Sequence, residues 1–358
     1  MTWLITGGAG YIGGHVVRQL IDAGERVALI DDFSTGDRTR LPAGVAVVEG
    51  STLDRAALDR AIREHEVEGI LHFAAKKQVG ESVEQPFLYY RENITGLQTV
   101  LEAAAAGGVK RFLFSSSAAV YGMPDVDLVT EDTPCHPMNP YGETKLAGEW
   151  LVAAAGRTYG MSTVSLRYFN VAGAQSPELS DTGVLNLVPM VFERLTAGRA
   201  PRIFGDDYPT ADGTCVRDFI HVSDTASAHI AAARRMRTDK AGETSLVLNI
   251  GRGEGVSVKE MLDVIGRVTG YDATGEVAPR RPGDPARVVA SADLIHKELG
   301  WSARYGVEEM VASAWDGWCS RHPGAATAPR CRSRRPARRR TGPCCRRRPG
   351  RRPPPGSR

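Results

Sequence analysis

The chain has few cysteines and no pattern among them. Cys135, Cys215 and Cys319 are scattered through the body, and Cys331, Cys344 and Cys345 lie near the C-terminus. None of the body cysteines stands in C-x-x-C spacing, so neither a disulfide framework nor a metal site is expected, and a reducing, cytoplasmic compartment fits. No run of about 18 apolar residues occurs, which argues against a helical membrane span. The N-terminus reads directly as a strand, without the charged and apolar segments of a secretory leader. Acidic residues are missing from 321–358, which hold 14 of the 45 Lys and Arg. The rest of the chain carries 31 basic against 42 acidic residues. That acidic body argues against a nucleic-acid-binding core.

Residues 323–358 contain only Arg, Pro, Gly, Ala, Ser, Thr and Cys. Without an aromatic or a large aliphatic side chain, this tail cannot bury enough apolar surface to offset its chain entropy, so disorder is expected. It reads either as a basic arm for an acidic surface or as the product of a shifted reading frame. Arg, Pro, Gly and Ala have the most GC-rich codons, and the frameshift reading is preferred.

What is present begins with length. At 358 residues the chain can form roughly two domains with a sizeable core. "TWLIT" (Thr2–Thr6) reads as a strand and runs straight into "GGAGYIGGHVVRQLIDAG". There Ile12, Val16, Val17, Leu20 and Ile21 recur at helical spacing, and Gly24 ends the helix. Gly7, Gly10 and Gly13 therefore fall in a strand-to-helix turn. Glycine there lets backbone N–H groups approach a pyrophosphate at the positive end of a helix. "ERVALIDD" delivers Asp31 and Asp32 at the next strand end. A carboxylate about 20 residues after the glycines bonds the adenosine ribose and repels a 2′-phosphate, so the expected cofactor is NAD rather than NADP.

Strands and helices keep alternating: "GVAVVE", a helix near 54–65, "GILHFA", a long helix near 86–106, then "RFLFSS". The expected fold class is α/β, a Rossmann-type doubly wound parallel sheet with a smaller C-terminal α/β domain. We expect residues 1–169 to form the cofactor domain, with a segment near 218–251 returning to it, and 170–320 to be mainly the substrate domain.

"NPYGETKLAGEW" opens a further helix, with Tyr141 and Lys145 at i and i+4 on one face. A tyrosine with a pKa of about 10 is a poor base at neutral pH. A neighbouring ammonium is expected to lower that value. Ser117, in "SSSAAVYG" at a neighbouring strand end, adds a hydroxyl. The three can remove a proton from an alcohol while NAD takes the hydride.

In this order, "TGGAGYIG", "HFAAKKQVGES", "SSSAAVYG", "PYGETK", "LRYFNVAGA", "FGDDYPTADGTCVRDFIHV" and "RRPGDP" resemble the UDP-glucose 4-epimerases of the extended short-chain dehydrogenase/reductase class. The resemblance runs from about Thr2 to His322 and leaves the tail without a counterpart. It implies an isomerase of galactose metabolism that interconverts UDP-galactose and UDP-glucose through a transient 4-keto sugar, with Ser117, Tyr141 and Lys145 catalytic. Cofactor contacts are implied for Gly7, Gly10, Tyr11, Ile12, Gly13, Asp31 and Asp32 in the first turn and strand. Further along, Ser51, Thr52, Phe73, Ala74, Ala75, Lys77, Asn93, Ser115 and Tyr168 are implied, besides Tyr141 and Lys145. On the sugar side, Ser117, Tyr141, Phe169, Asn170, Asn186, Leu187, Phe204, Arg217, Arg281, Asp284 and Val288 are implied. For Arg217 a plain ion pair with Asp218 is the other reading. A homodimer paired through helices near 86–106 and 141–159 is implied as well.

Two positions depart from the family pattern. Ser51 stands where the family has an adenine-contacting aspartate. Val288 stands where some members carry a tyrosine that narrows the sugar pocket, which leaves room for UDP-N-acetyl sugars. Nucleotide-sugar dehydratases carry acid and base residues where this chain has Ala118 and Ala119. A 4-epimerase of UDP-glucuronate or a UDP-pentose is the alternative within the class. An NAD-sensing regulator is the alternative outside it, and retention of Tyr141 and Lys145 argues against that.

Overall fold

The computed structural model describes residues 1–281 and 283–327. Seven parallel strands form the main sheet: β1 (Thr2–Thr6), β2 (Arg26–Asp31), β3 (Ala46–Glu49), β4 (Gly69–His72), β5 (Arg111–Ser117), β6 (Ser162–Tyr168) and, much later in the chain, β10 (Ser245–Ile250). Their order is β10-β6-β5-β4-β1-β2-β3. The chain starts in the middle, winds outward to β3, then crosses back to β4, so the strand order reverses between β1 and β4. Ligands of such sheets bind outside the carboxyl ends at that reversal.

Composition explains the layering. β1, β4 and β6 are buried along their whole length, as strands covered by helices on both faces must be. One face packs Ile5, Val16, Val17, Leu20, Ile220, Ile230 and Leu248. The other packs Leu4, Leu58, Ile70, Leu97, Leu101 and Phe112. Each such side chain, taken fully out of water, contributes about 1.5–3 kcal/mol.

The remaining strands are β7 (Asn170–Ala172), β8 (Arg202–Phe204), β9 (Val216–His221), β11 (Gly255–Ser257), β12 (Glu276–Ala278) and β13 (Arg287–Val288). β9 is the hub of a small mixed sheet, pairing with β7, β11 and β13, while β8 pairs with β12. After β9 the chain returns to the main body. The helix Val222–Thr238 packs on the helix Tyr11–Asp22, and β10 then adds to the edge of the main sheet beside β6. Among the described residues no helix is long and apolar enough to cross a membrane.

Two expectations need correction. The long helix near 86–106 is not one regular element. Pro86–Tyr89 leads into a π-helical stretch, Tyr90–Thr95, before Gly96–Ala106 resumes as α-helix. The wider turn carries Asn93, which is buried. The tail, expected to be disordered from 323, is ordered over Pro323–Thr327. There Ala325 is buried in the second lobe's core, and its carbonyl accepts from the Tyr271 hydroxyl at 3.0 Å. An alanine is enough because the cavity was already lined by Trp315 and Trp318. The rest of the tail, 328–358, lies outside the described residues.

Candidate active site

The glycine turn has the shape a dinucleotide needs. Gly7 lies at φ +70°, and a Cβ there would sit 2.7 Å from the backbone nitrogen of Ala74. At Gly13 a Cβ would meet the Gly7 carbonyl oxygen at 2.3 Å. Neither position admits a side chain. The helix Tyr11–Asp22 starts on Gly10 without a side-chain cap, so its first-turn N–H groups, those of Tyr11 and Ile12 among them, are left for a ligand. The Tyr11 side chain itself points away, donating to the Gly173 carbonyl at 2.5 Å.

The two aspartates divide their work. Asp31 is buried and accepts from Ala9 N and Phe33 N, both at 2.9 Å, which ties β2 to the glycine turn. Burial raises its carboxyl above the usual range. Asp32 is exposed and accepts from Ser34 N. Only Asp31 is built into the cradle. Ser51 Oγ accepts from Leu53 N at 3.1 Å and so stabilises its own turn, while Thr52 packs against Gly96. Phe73 and Ala74 leave β4 beside Gly7, both donating backbone N–H groups to the Thr6 carbonyl, and lead to Ala75. Lys77 is exposed.

Asn93 is buried on the π-helical stretch. Its side chain accepts from Lys76 N at 2.8 Å and donates to Lys76 O and Thr144 Oγ1, both at 3.0 Å. Its polar atoms are committed to holding the loop after β4 against the catalytic helix. Tyr168 is likewise anchored. Its hydroxyl lies 2.8 Å from His229 Nε2, and the Phe73 ring packs at a tilt against the same imidazole, centroids 4.8 Å apart. His229 Nδ1 lies 2.8 Å from the Thr225 carbonyl, so it carries the proton and Nε2 accepts from Tyr168.

At the end of β5, Ser117 faces the helix Pro140–Tyr159, which Asn139 caps through Gly142 N. Gly142 makes the approach possible, since a Cβ there would lie 2.6 Å from the Ala119 carbonyl. Tyr141 is half-buried, with the Ser117 hydroxyl close enough to its phenol to pull its pKa down. Lys145 is 4% exposed and donates through Nζ to the Ser115 carbonyl at 2.8 Å, 5.9 Å from the Tyr141 ring centre.

The expected lowering of the Tyr141 pKa is not found. Burial pushes the phenol up, and only the Ser117 hydroxyl pulls the other way. The reason is geometric: the Lys145 ammonium is spent on the Ser115 carbonyl rather than on the phenol oxygen. Burial in turn lowers Lys145 to about 8, against the opposing pull of the Glu149 carboxylate.

Of the residues the resemblance implies on the sugar side, Asn170, Arg217 and Val288 lie on the small sheet. β13 pairs Val288 with Arg217 on β9, and the Arg217 guanidinium reaches Asp284 at 3.6 Å. The pairing of Arg217 with Asp218 is overturned. Asp218 is buried and accepts backbone N–H groups from Arg252, Gly253 and Ala290 instead. The Arg281 guanidinium lies over the Phe204 ring at 3.8 Å. Phe169, Val288 and Tyr121 share one apolar cluster with Leu146 of the catalytic helix. Asn170 is exposed at the start of β7. Asn186 and Leu187 begin the helix Leu187–Thr196, with the Asn186 amide donating to Asp181 at 3.3 Å. A small cavity joins Asn186 to Tyr11 and Gly173 beside the glycine turn.

Glu149 and Arg167 escaped the sequence reading. They form a buried bidentate pair, with Nε–Oε1 at 2.9 Å and Nη2–Oε2 at 2.7 Å. A signal existed: 141, 145 and 149 follow at i, i+4 and i+8, and a carboxylate on that inward face calls for a buried partner.

The cradle and the Ser–Tyr–Lys group together define a nucleotide-dependent enzyme of the short-chain dehydrogenase/reductase kind. The profile of the NAD dependent epimerase/dehydratase family matches residues 3–251, and the chain belongs to that family. The chain is 43% identical over 333 residues to the UDP-glucose 4-epimerase of Azospirillum brasilense, covering 91% of this chain and 95% of that one. The UDP-glucose 4-epimerase of Stenotrophomonas maltophila, solved with bound NAD and formylated UDP-arabinopyranose, superposes with a TM-score of 0.86 at 37% identity, covering 90% and 99%. That of Bifidobacterium longum, in complex with NAD+ and UDP, gives 0.83 at 35%, covering 91% and 100%.

Proposed function

We propose that this chain is a UDP-glucose 4-epimerase that interconverts UDP-galactose and UDP-glucose and keeps NAD through the cycle. The observation that carries this is the meeting of Ser117, Tyr141 and Lys145 beside a glycine turn too tight for any Cβ, next to the inert Ala118 and Ala119. Gly7, Gly13, the first-turn N–H groups and Asp31 would hold the dinucleotide. Bound NAD supplies the hydride acceptor and donor at the sugar C4, and a positive charge that favours a phenolate.

The chain's own residues handle the proton. Tyr141 takes it from the sugar 4-hydroxyl as the C4–H bond breaks with its electron pair and the C4 carbonyl forms. Ser117 bonds both the phenol and the sugar oxygen. Lys145, with its pKa of about 8, is mainly charged at pH 7 and, held on the Ser115 carbonyl, would favour the phenolate only at a distance. With alanine at 118 and 119, nothing at this strand end can expel water from the keto sugar. Reversal from the other face of the sugar returns hydrogen to C4 and the proton from Tyr141, with no net oxidation. Arg217 and Arg281 are planar forks suited to the diphosphate. Incubation of the purified protein with UDP-galactose and no added NAD should yield UDP-glucose. Absence of product, even with NAD supplied, would overturn the proposal.

Val288 favours a wider sugar range. It is buried against Phe169 and Tyr121, and a valine fills less of the sugar pocket than a tyrosine. UDP-N-acetylglucosamine should be turned over, and Val288→Tyr should suppress that activity about tenfold or more while sparing UDP-galactose, a loss of about 1.4 kcal/mol in transition-state binding. Equal loss for both substrates speaks against this pocket reading.

The state of assembly is read from exposure. Phe87 is 88% exposed and Trp150 65%, both on the helices expected to pair two subunits, and Val83 on the preceding helix, Val79–Glu84, is 63% exposed. Such apolar side chains in one region mark a contact surface. Phe87→Asp with Trp150→Asp should convert a dimer to a monomer in light scattering. An unchanged mass would place the interface elsewhere. The free Cys135, Cys215 and Cys319 suit a reducing cytoplasm.

A further inference from the structure

Three consecutive serines end β5, and each engages one inward residue of the helix Pro140–Tyr159. The Ser117 hydroxyl lies beside the Tyr141 phenol. The Ser115 carbonyl accepts from Lys145 Nζ at 2.8 Å. The Ser116 hydroxyl donates to Glu149 Oε1 in a short hydrogen bond. Tyr141, Lys145 and Glu149 are spaced by four, so strand end and helix face are joined at three points. Glu149 is 5% exposed and Arg167 5%. The second oxygen of Glu149 is taken by Arg167, and the other end of that guanidinium donates to the Tyr121 hydroxyl at 2.8 Å. Tyr121 donates to Asn249 at 2.7 Å, and Asn249 N donates to Glu131. The chemistry of the proton relay uses none of these groups.

We propose that Glu149 is a positioning residue for the catalytic group: it holds the β5 end through Ser116, and its carboxylate, balanced by Arg167, sets the charge felt by the Lys145 ammonium. The inference rests on the epimerase reading. An exposed carboxylate would do little at this range, but this one is buried, one helical turn from Lys145.

The other groups around Lys145 do not substitute for it. Tyr141 is a phenol held neutral by burial. His72 on β4 is a buried imidazole at about 3, depressed by burial and then by Lys145 itself. Phe114 presents only its ring, 5.1 Å from Nζ. Around Glu149 stand Arg167 on β6, Ser116 on β5 and the Cys135 thiol, which burial keeps protonated. Glu131 acts on the Arg167 end of the pair, and its backbone carbonyl also accepts from Arg167 Nη1 at 3.4 Å. Glu149 is thus the one anion close to Lys145 among the described groups.

The test is the alkaline limb of kcat, where Lys145 loses its proton. Glu149→Gln leaves Arg167 unbalanced and should move the limb down by about one pH unit. Arg167→Gln leaves the carboxylate unbalanced and should move it up. Amide exchange at residues 115–117, measured without substrate or added cofactor, should quicken several-fold in both. Limbs that stay in place, or that move in the same direction, overturn the proposal, because a packing defect has no sign. If one variant fails to fold, the direction of the other decides. If neither folds, Ser116→Ala decides: faster exchange at 115–117 supports the proposal and parental exchange sinks it. Turnover of UDP-galactose by the parent protein tests the epimerase reading separately.

Discussion

Replacing Tyr141 with phenylalanine should leave a folded chain that retains NAD and turns over UDP-galactose about 10³-fold more slowly. A positioned acid–base group contributes about 10²–10⁴ in rate. The ring sits on a helix already fixed by Asn139, by Gly142 against Ala119 and by Asn93 through Thr144, so removing one oxygen disturbs little else. Ser117 keeps a second hydrogen bond, accepting from Ala119 N at 3.2 Å, and stays in place. Product formation from UDP-galactose, with NAD released by denaturation and measured by absorbance, separates the two effects. Turnover within tenfold of the parent would remove Tyr141 from its role. Loss of NAD in the same variant would move the defect from chemistry to binding.

Gly13→Ala should be among the most damaging single methyl groups at the dinucleotide turn. The new Cβ would meet the Gly7 carbonyl at 2.3 Å and the Gly8 Cα at 3.0 Å, and both are backbone atoms in a turn that cannot yield. Gly7 is itself held by its own N–H to the Ile30 carbonyl at 2.9 Å, and its left-handed φ favours glycine. Relief therefore requires moving the helix Tyr11–Asp22 off β1, which opens the core around Val16, Val17 and Leu20. Forced insertion of this kind costs about 3 kcal/mol, the upper end of overpacking. The purified variant should carry no NAD and should unfold several degrees below the parent. A variant that co-purifies with NAD and melts within one degree of the parent contradicts this account of the turn.

How much of this was legible depends on the range of the interactions. The parallel sheet was legible because Ile12, Val16, Val17 and Leu20 announce a helix, "TWLIT" and "GILH" announce buried strands, and each signal is local. The Tyr141–Lys145 pair was legible for the same reason, four residues being one helical turn. What failed to show depended on partners far along the chain. Lys145 donates to a carbonyl 30 residues away, so the Tyr141 pKa could not be read from their spacing. Arg217 sits beside Asp218 in sequence but on the opposite face of an extended strand, so it turns to Asp284. Asn93 gives no sign in sequence that it clamps a loop, since its partners are Lys76 and Thr144. Ala325 reads as part of a featureless tail until the indoles of Trp315 and Trp318 are seen around it.

The apolar cluster of Tyr121, Phe169, Leu146 and Val288 has a consequence for how the sugar turns over. It is built from both lobes at once, and a bridge between Val129 and Ala290 stitches them together beside it. A jaw cannot swing on a joint whose two halves share one packed interior. Under the proposed reading the pyranose would rotate between walls shared by both lobes, tethered by its diphosphate, and the volume of side chains such as Val288 would set what fits. New sugars are then to be gained by whittling those walls, one residue at a time.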